Sequence, residues 1–324
     1  MACRCKQAHL RVSGQDYRHH RRRAGRRDEP LSVLRSIFIS GFTTCVVLAL
    51  LYALLQLVRG MDPLISWLGL ALAAGAPVAF LVSLYIGNHA RTPQHPVVIS
   101  VVCGLGTAIT MAANWRYGDA SGIVHIWAGL CLLAWFIYLK WYSVFSSRGG
   151  SLVPGTVLAD FELQSMQGEV TPSSSFRGKK HVFIFYRGNW CPLCSAQITE
   201  LAQKYRELEA LGAEVVLISS QPQSHSARLA KKFDVPMQFF RDENNSAARK
   251  LGIVAPFGTP MGFQLLGYDS DTAMPTVIIT DEDGKILFAD ETDNYRVRPE
   301  PELFVNVLRA NQGVSVSIAE GLNC

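Results

Sequence analysis

The order of apolar and polar residues divides the chain into two halves of different character. In the first half, polar segments separate four long apolar stretches: Ile37–Val58, Leu64–Ile86, Val97–Ala113 and Ile123–Leu139. The first two reach the roughly 20 residues that a helix needs to cross a bilayer. The other two lie near the lower limit of about 17, and neither contains Asp, Glu, Lys or Arg. This pattern predicts four transmembrane helices.

The second half alternates short β-rich runs with helical periodicity. The run Val182–Tyr186 predicts a buried strand, a helix with one apolar face then ends at Gly212, and Ala213–Ser219 predicts a second strand. This order predicts a parallel strand–helix–strand unit. The other predicted elements are a hairpin of Phe161–Leu163 with Glu169–Thr171, a helix at Gln223–Phe233, a strand at Met237–Phe240, a helix at Asn244–Leu251, a hairpin of Thr276–Thr280 with Lys285–Ala289, and a helix at Glu300–Ala310.

Two cysteines, Cys191 and Cys194, stand where the predicted strand gives way to the predicted helix. Pro192 suits a first helical turn, where its missing N–H costs nothing. Free N–H groups and the helix dipole at such an end favour a thiolate, so we predict that Cys191 is the more acidic and more reactive thiol. Cys194 lies one turn later, close enough to form an intramolecular disulfide. The arrangement predicts a nucleophile, Cys191, and a resolving partner, Cys194.

A C-x-x-C pair can also be half of a zinc site. No second C-x-x-C and no H-x3-H follows in the sequence, so a four-ligand zinc site cannot be assembled locally and no metal is expected. The sequence has no glycine-rich phosphate loop and no nicotinamide or flavin fingerprint, so no organic cofactor is implied. A strand followed by C-x-x-C and a helix is the thioredoxin-like setting of this motif. The predicted fold class is an α/β thioredoxin-like domain, with a central mixed sheet and flanking helices, preceded by an all-α four-helix transmembrane region.

Charge separates the same two halves. Residues 1–150 carry a net charge of +10 and residues 151–324 a net charge of −5. Nine Lys and Arg residues lie in the first thirty positions, directly before the first apolar stretch. This cluster is typical of a topology signal on the cytoplasmic side, and no nucleic-acid partner is expected. Four crossings return the chain to that side, so we predict a multi-pass integral membrane protein with both termini and the redox domain cytoplasmic.

The predicted domain boundaries follow from these patterns. They are a basic disordered tail over 1–30, four transmembrane helices over 31–147, a linker over 148–152, the redox domain over 153–312 and a loose tail over 313–324. The four predicted helices contain no charged relay. Their predicted role is anchoring in the lipid bilayer.

The second half resembles the peroxiredoxin-like branch of the alkyl hydroperoxide reductase/thiol-specific antioxidant (AhpC/TSA) family. The similarity covers about 153 to 310 and is strongest from Phe185 to Cys194. The other matching segments are Pro154-Gly155, Asp160–Leu163, Gly178–Lys180, Arg241–Asn244, Ala248–Gly252 and Met274–Ile279. The resemblance implies a thioredoxin fold in which Met274-Pro275 is a cis-proline peptide facing the two cysteines.

Near the two cysteines this chain differs from the peroxiredoxin pattern and from the thioredoxin pattern. Peroxiredoxins carry a proline seven residues, and a threonine or serine three residues, before the peroxidatic cysteine, whereas this chain has Ile184 and Gly188. Thioredoxins keep an aspartate six residues before the first cysteine, and that position is Phe185. Because the activating hydroxyl is absent, we predict that disulfide reduction outruns peroxide reduction.

The sequence therefore predicts a membrane-anchored thiol–disulfide oxidoreductase in which Cys191 forms a mixed disulfide and Cys194 resolves it. Trp190 would supply an apolar surface beside the sulfur, and Met274 and Pro275 would pair with an extended substrate. Arg187 either lowers the pKa of Cys191 or is an ordinary surface arginine. The substrate is a disulfide-bearing protein or a small thiol or peroxide, and an unidentified electron donor is required.

Two alternatives stay open at this point. The first is a two-cysteine hydroperoxide reductase, in which Cys191 passes through a sulfenic acid that Cys194 traps. The second is a membrane redox sensor or interaction module that reports its disulfide state to a partner. A turnover assay on a hydroperoxide and on a protein disulfide separates these alternatives.

Overall fold

The structure of the chain is a computed structural model that describes residues 29–118, 123–145 and 151–312. Residues 1–28 of the predicted basic tail, the predicted C-terminal tail and residues 148–150 of the predicted linker lie outside these residues, whereas Glu29 and Pro30, predicted to belong to the tail, begin the first helix.

Four helices form the first half, as the apolar pattern predicts. They are α1 (Glu29–Val58), α2 (Leu64–Ile86), α3 (Val97–Tyr117) and α4 (Val124–Ile137), and α4 continues into a π-helical turn at Tyr138–Tyr142. Their apolar spans of 28, 23, 21 and 19 residues are long enough to cross a membrane.

Small residues let α2 and α3 approach closely. A Cβ atom added to Gly106 would lie 2.5 Å from the backbone nitrogen of Ala73 and 2.6 Å from the carbonyl oxygen of Gly69. Glycine at such a crossing allows close backbone packing, which is a common means of association between apolar helices. The four helices therefore form one bundle, built on contacts that a larger side chain would prevent.

The second half is built on a seven-stranded mixed sheet. Its strands are β1 (Glu162–Ser165), β2 (Val170–Pro172), β3 (Lys180–Phe185), β4 (Ala213–Ser219), β5 (Gln238–Arg241), β8 (Thr276–Thr280) and β9 (Ile286–Asp290), while β6 (Val254–Ala255) and β7 (Thr272–Ala273) form a separate two-stranded ladder. The spatial order in the large sheet is β2-β1-β5-β4-β3-β8-β9. The helices are α5 (Pro192–Ala210), α6 (Gln223–Ala230), α7 (Ser246–Lys250) and α8 (Pro301–Asn311). Strands β3 and β4 pair in parallel through α5, as predicted, and β8 pairs antiparallel with β3.

Side-chain alternation along β3 separates two hydrophobic layers. Val182, Ile184 and Tyr186 belong to the layer that contains α5 and α8, whereas Phe183 and Phe185 point into the opposite layer. This alternation follows from the two-residue period of a strand. The first layer is continuous with buried side chains of the helix bundle, so the sheet positions the end of β3 next to that bundle.

The redox domain is docked on the bundle through a fully buried arginine. The Arg296 side chain donates hydrogen bonds to Ser143 Oγ at 3.0 Å, to Pro93 O at 3.0 Å and to Gln94 O at 3.0 Å. In addition, Thr92 N donates to Arg296 O at 3.0 Å. These bonds fix the segment before α8 against the α2–α3 connection and the π-helical turn.

Further contacts close the interface between the halves. Tyr138 and Tyr295 hydroxyls lie 2.8 Å apart, and Arg91 forms an ion pair with Glu200 on α5. On the other side of the site, Ser36 Oγ of α1 donates to Thr259 O at 2.7 Å. The domain is thus held against the bundle at several points around the cysteine pair.

The proline before β8 differs from the prediction. The cis peptide bond in the described chain is Asp62–Pro63, and the Met274–Pro275 bond is trans. The backbone runs extended at this point, with Met274 N donating to Ile253 O at 2.7 Å and Thr276 Oγ1 donating to Met274 O at 2.9 Å. Peptide bonds before proline prefer the trans form, and these hydrogen bonds are compatible with it. The predicted cis-proline peptide is wrong.

Candidate active site

Cys191 occupies the N-cap of α5 and Pro192 the first helical position. Its carbonyl oxygen accepts hydrogen bonds from Cys194 N at 3.0 Å and Ser195 N at 3.2 Å, which begins the helix at this residue. Proline at the first position removes one of the N–H groups that a helix start leaves without an acceptor. Cys191 and Cys194 are both free thiols here, and both are buried.

Arg298 holds the second cysteine. Its Nη2 lies 3.4 Å from Cys194 Sγ, its Nη1 donates to Gln197 Oε1 at 2.7 Å, and its Nε donates to Tyr295 O at 3.1 Å. The side chain is 5% exposed, and among the described residues it has no carboxylate partner. A buried guanidinium requires a counter-charge, and the sulfur beside it supplies one as a thiolate.

The two thiols share their protons unequally. A hydrogen bond to Cys194 and burial raise the pKa of Cys191 well above its ordinary value. Burial opposes ionisation of Cys194, but the hydrogen bond from Cys191 and the charge of Arg298 outweigh it, so the pKa of Cys194 lies well below its ordinary value. The reduced pair therefore carries its first negative charge on Cys194. This order differs from the sequence prediction, which gave the lower pKa to Cys191.

We expect Arg298→Gln to raise the pH at which the reduced pair first ionises, because the positive charge beside Cys194 is lost. The change is followed by the far-ultraviolet thiolate absorbance of the reduced protein as a function of pH. The lowered pKa also stabilises the reduced fold above the unfolded thiol pKa of about 8.5, and that contribution disappears as the pH falls through the folded value.

Two variants control this titration. Arg298→Lys keeps the charge and should leave the ionisation close to that of the unaltered protein, while Cys194→Ser should remove the low-pH transition. If the transition survives in Cys194→Ser, the first charge resides on Cys191.

A second buried cation, Arg187, lies on the other side of the pair. Its guanidinium carbon is 4.7 Å from the centre of the Trp190 ring and 5.1 Å from the centre of the Tyr295 ring. Its Nη2 donates to Gly258 O and, at 3.4 Å, to Tyr142 Oη. Among the described residues Arg187 forms no ion pair with a carboxylate, and its charge acts to lower the pKa of Cys191. The guanidinium is thus a buried charge available to an anion at Cys191.

The surroundings of Gly188 leave no room for the threonine or serine that peroxiredoxins carry three residues before the peroxidatic cysteine. Its φ angle is +151°, and a Cβ atom there would lie 2.6 Å from Nε1 of Trp190. A threonine or serine at this position would collide with the indole, since real Cβ contacts are longer. The Trp190 N–H therefore occupies the space that a side chain at position 188 would need.

Two N–H groups beside Cys191 have no acceptor. Within the part of the chain that the structure describes, Arg187 Nε and Trp190 Nε1 are buried without a hydrogen-bond partner. Buried donors are nearly always satisfied, so such a pair calls for an explanation. Both side chains line the same cavity as Cys191.

A polar network fixes the loop that carries these donors. Asn189 N donates to Gln221 Oε1 at 2.8 Å, and Gln221 Nε2 donates to Tyr186 Oη at 3.0 Å and to Ser226 Oγ at 2.8 Å. A buried network in which every member is bonded holds its backbone in one conformation. The loop between β3 and α5 is accordingly pre-positioned.

Cys191 borders a cavity of about 390 Å³, which is within the usual range for small-molecule sites. It is formed jointly by the redox domain and the helix bundle, and Arg187 is the charged residue in its wall. The lining residues are Ile39, Ser40, Thr43, Thr44, Leu81, Leu84, Tyr85, Tyr138, Tyr142, Arg187, Trp190, Cys191, Pro192, Leu193, Pro260, Met261, Phe263 and Tyr295.

The predicted site residues divide into two groups. Cys191, Trp190 and Arg187 line the cavity and Cys194 lies directly behind them, whereas Met274 and Pro275 are buried and lie outside its wall. Arginine at position 187 is 6% exposed, so it is not an ordinary surface arginine.

Sequence reasoning missed Arg298, Tyr295 and the cavity wall from α1 and α2. Arg298 reaches Cys194 across 104 positions of sequence and belongs to no motif, so no local signal could have identified it. A two-stranded ladder, β6 (Val254–Ala255) with β7 (Thr272–Ala273), was also not predicted. It closes the loop that brings Phe263 against Trp190, with ring centres 5.6 Å apart.

Fold and site together define a thioredoxin-like domain with a dithiol centre between two buried arginines. Residues 154–289 match the AhpC/TSA family, in agreement with the resemblance seen in the sequence. Among curated proteins, peroxiredoxin Q of Gentiana triflora is 33% identical over 132 residues, covering 40% of this chain and 60% of that protein. Peroxiredoxin Q of Populus jackii is 36% identical over 112 residues, covering 34% of this chain and 52% of that protein.

The chain thus spans between about half and three fifths of the length of these two chloroplastic relatives. Among solved structures, peroxidoxin BcpB of Mycobacterium tuberculosis aligns with 48% of this chain and 96% of its own, at 22% identity and a TM-score of 0.40.

Proposed function

We propose that this protein is a thiol-dependent peroxidase in which Cys191 reduces a hydroperoxide and Cys194 resolves the product. The main support for the proposal is the buried positive charge of Arg187 in the wall of the small cavity that Cys191 borders. In addition, Arg187 Nε and Trp190 Nε1 are buried donors without an acceptor among the described residues. Preorganised donors where negative charge develops are the largest single contribution to many enzymatic rates. The match to the AhpC/TSA family supports the same chemistry.

In the resting pair the shared proton is on Cys191 and the charge is on Cys194, so the reaction begins with transfer of this proton from Cys191 to Cys194. The Cys191 thiolate attacks the terminal oxygen of the hydroperoxide R–O–OH, the O–O bond breaks, and its electron pair leaves on the alkoxide RO⁻. Arg187 stabilises this charge, and the alkoxide takes the proton of Cys194 to become the alcohol. Cys191 is now a sulfenic acid.

Resolution follows within the pair. The Cys194 thiolate, stabilised by Arg298, attacks the Cys191 sulfur and expels hydroxide, so one disulfide and one hydroxide form and the sulfur pair has lost two electrons. The lowered pKa of Cys194 suits this step, because the attacking group is a thiolate. A dithiol reductant then returns two electrons and two protons.

The geometry favours this alternative over reduction of protein disulfides, which the sequence predicts to be faster. Cys191 is 2% exposed, so a protein disulfide has no open sulfur to approach. The backbone at Met274 is also occupied, because its N–H is bonded to Ile253 O and β7 is paired with β6. A small hydroperoxide needs neither an exposed sulfur nor a free strand edge.

The proposal includes a membrane location. The four apolar helices support integral insertion, and the basic residues that precede them favour a cytoplasmic redox domain. Reporter fusions at Ser151 and after Cys324 should both indicate the cytoplasm. A signal from the opposite side would invert the orientation.

The test is turnover by the full-length protein in detergent with a dithiol reductant. We expect consumption of tert-butyl hydroperoxide to be faster than reduction of a protein disulfide such as that of insulin, because only the former fits a buried sulfur. The reverse order would favour the disulfide oxidoreductase, and no turnover of either substrate would favour a redox sensor.

A further inference from the structure

The wall of the cavity opposite Cys191 belongs to the helix bundle. Its side chains come from two neighbouring helices: Ile39, Ser40, Thr43 and Thr44 of α1, and Leu81, Leu84 and Tyr85 of α2. Tethering of the redox domain does not require side chains of the bundle in the wall of the cavity that Cys191 borders. The bundle therefore takes part in forming the site.

The cavity extends into the depth of the bundle. Thr43 lies twelve residues after Leu31, where the apolar span of α1 begins, which corresponds to about 18 Å along the helix at 1.5 Å per residue. Tyr85 is the penultimate residue of α2, at the end nearest the redox domain. The lining residues of α1 run from Ile39 to Thr44, so the cavity continues from the redox domain along about 7.5 Å of this helix at 1.5 Å per residue.

The cavity wall also reaches the outer surface of the bundle. Thr43, Thr44 and Tyr85 line the cavity and are also exposed on the outer surface, with Tyr85 68% exposed. Both helices are apolar enough to lie in a bilayer, and in that position the opening at Thr43 and Thr44 would border lipid.

An apolar loop packs on α1 beside the cavity. Met261 is bonded to α1 through Met261 N to Ser36 O at 3.2 Å and Ser40 Oγ to Met261 O at 2.9 Å. The same loop leaves Leu265 92% and Leu266 62% exposed. Exposed leucines beside an apolar helix surface are typical of a segment in contact with a membrane.

We propose that the substrate is a long-chain lipid hydroperoxide that enters from the bilayer between α1 and α2. This proposal rests on the peroxidase function proposed above. The peroxide group would lie at Cys191 beside Arg187, and the hydrocarbon chain would follow the aliphatic wall of Leu81, Leu84 and Ile39 toward the lipid. Because Arg187 is the charged residue in the wall, the cavity has no means of fixing a highly charged substrate. The lipid alcohol formed by O–O cleavage returns by the same path.

The experiment uses full-length protein in phosphatidylcholine vesicles with a dithiol reductant. The kcat/KM is measured for a phosphatidylcholine hydroperoxide in the vesicle and for hydrogen peroxide. Thr44→Phe places a ring in the lateral opening. We expect the ratio of the two kcat/KM values to fall about tenfold or more, the scale of discrimination that steric changes in an apolar pocket produce.

Leu48→Phe is the matched control, because Leu48 is exposed on the same helix one turn later and lies outside the cavity wall. It should leave the ratio unchanged. Thr43→Phe provides a second test should Thr44→Phe fail to insert, and it should lower the ratio in the same direction.

Four outcomes would overturn the proposal. An unchanged ratio in both threonine variants, or a preference of the unaltered protein for hydrogen peroxide, excludes lateral entry while leaving the peroxidase function intact. Absence of turnover with either peroxide removes the peroxidase function and this proposal together. Oxidation of the dithiol by a short-chain quinone, but by neither peroxide, assigns the cavity to a different ligand.

Discussion

Cys191→Ser should abolish hydroperoxide consumption, whereas Cys194→Ser should still consume about one hydroperoxide per chain before stopping. The difference arises because Cys191 borders the cavity and attacks oxygen, while Cys194 lies behind it and acts only on the sulfenic acid. Removing a covalent nucleophile eliminates the reaction path that it creates. Hydroperoxide loss in a single turnover, followed by mass spectrometry after trapping with dimedone, distinguishes the two variants.

The cysteine on which the sulfenic acid is trapped is the one that attacks the hydroperoxide. Cys194→Ser should accumulate a sulfenic acid on Cys191, because no thiol is left beside it to expel hydroxide. Cys45→Ser is the control, since Cys45 is an exposed thiol of α1 outside the cavity wall, and it should turn over like the unaltered protein. A dimedone adduct on Cys194 in the Cys191→Ser variant would reverse the two roles.

The parts of the site that are local in sequence could be predicted. The β-rich run before Cys191, the proline at the first helical position and the apolar face of α5 are contiguous, so their patterns determined the strand, the turn and the helix start. Trp190 and Arg187 were identified for the same reason, because they lie within four residues of Cys191.

The electrostatics of the pair could not be predicted in this way. A helix N-terminus favours a thiolate on Cys191, with an effect of roughly 0.3–1 kcal/mol at exposed sites. A buried guanidinium in contact with Cys194 is a full charge at low dielectric and is the stronger influence. Arg298 comes from the segment before α8, and nothing in its own sequence surroundings indicates which sulfur it contacts.

The cavity could not be predicted from the sequence, because it forms only where the redox domain packs against the helix bundle. The apolar pattern of α1 and α2 accounts fully for helices long enough to cross a bilayer, and Arg35, the charged residue within these two spans, lies outside the cavity wall. The contacts that bring the redox domain onto them are made by single residues such as Arg296 and Ser36, spread over the chain. A side chain such as Tyr85 is a plausible interfacial aromatic until the opposite wall is known.

Arg187→Gln should lower kcat/KM for a hydroperoxide by on the order of 100-fold, the usual cost of removing one donor from a site where an oxyanion develops. The glutamine keeps a polar group near Tyr142 Oη and Gly258 O but carries no charge to stabilise the departing alkoxide. Arg187→Lys keeps the charge and should recover part of the rate. It lacks the planar fork that packs on Trp190 and Tyr295, so full recovery is not expected.

Alkylation of Cys191 by iodoacetamide separates a catalytic contribution of Arg187 from a loss of thiolate. In alkylation the leaving group is iodide and no oxygen anion forms, so Arg187→Gln should slow this reaction much less than it slows peroxide reduction. Arg177→Gln is the control, because Arg177 is an exposed arginine whose ion pair is with Asp160, outside the cavity wall. An equal decrease in both reactions would mean that Arg187 acts by holding the Cys191 thiolate. The role of oxyanion donor would then fall to the Trp190 indole N–H, which Gly188 leaves room for.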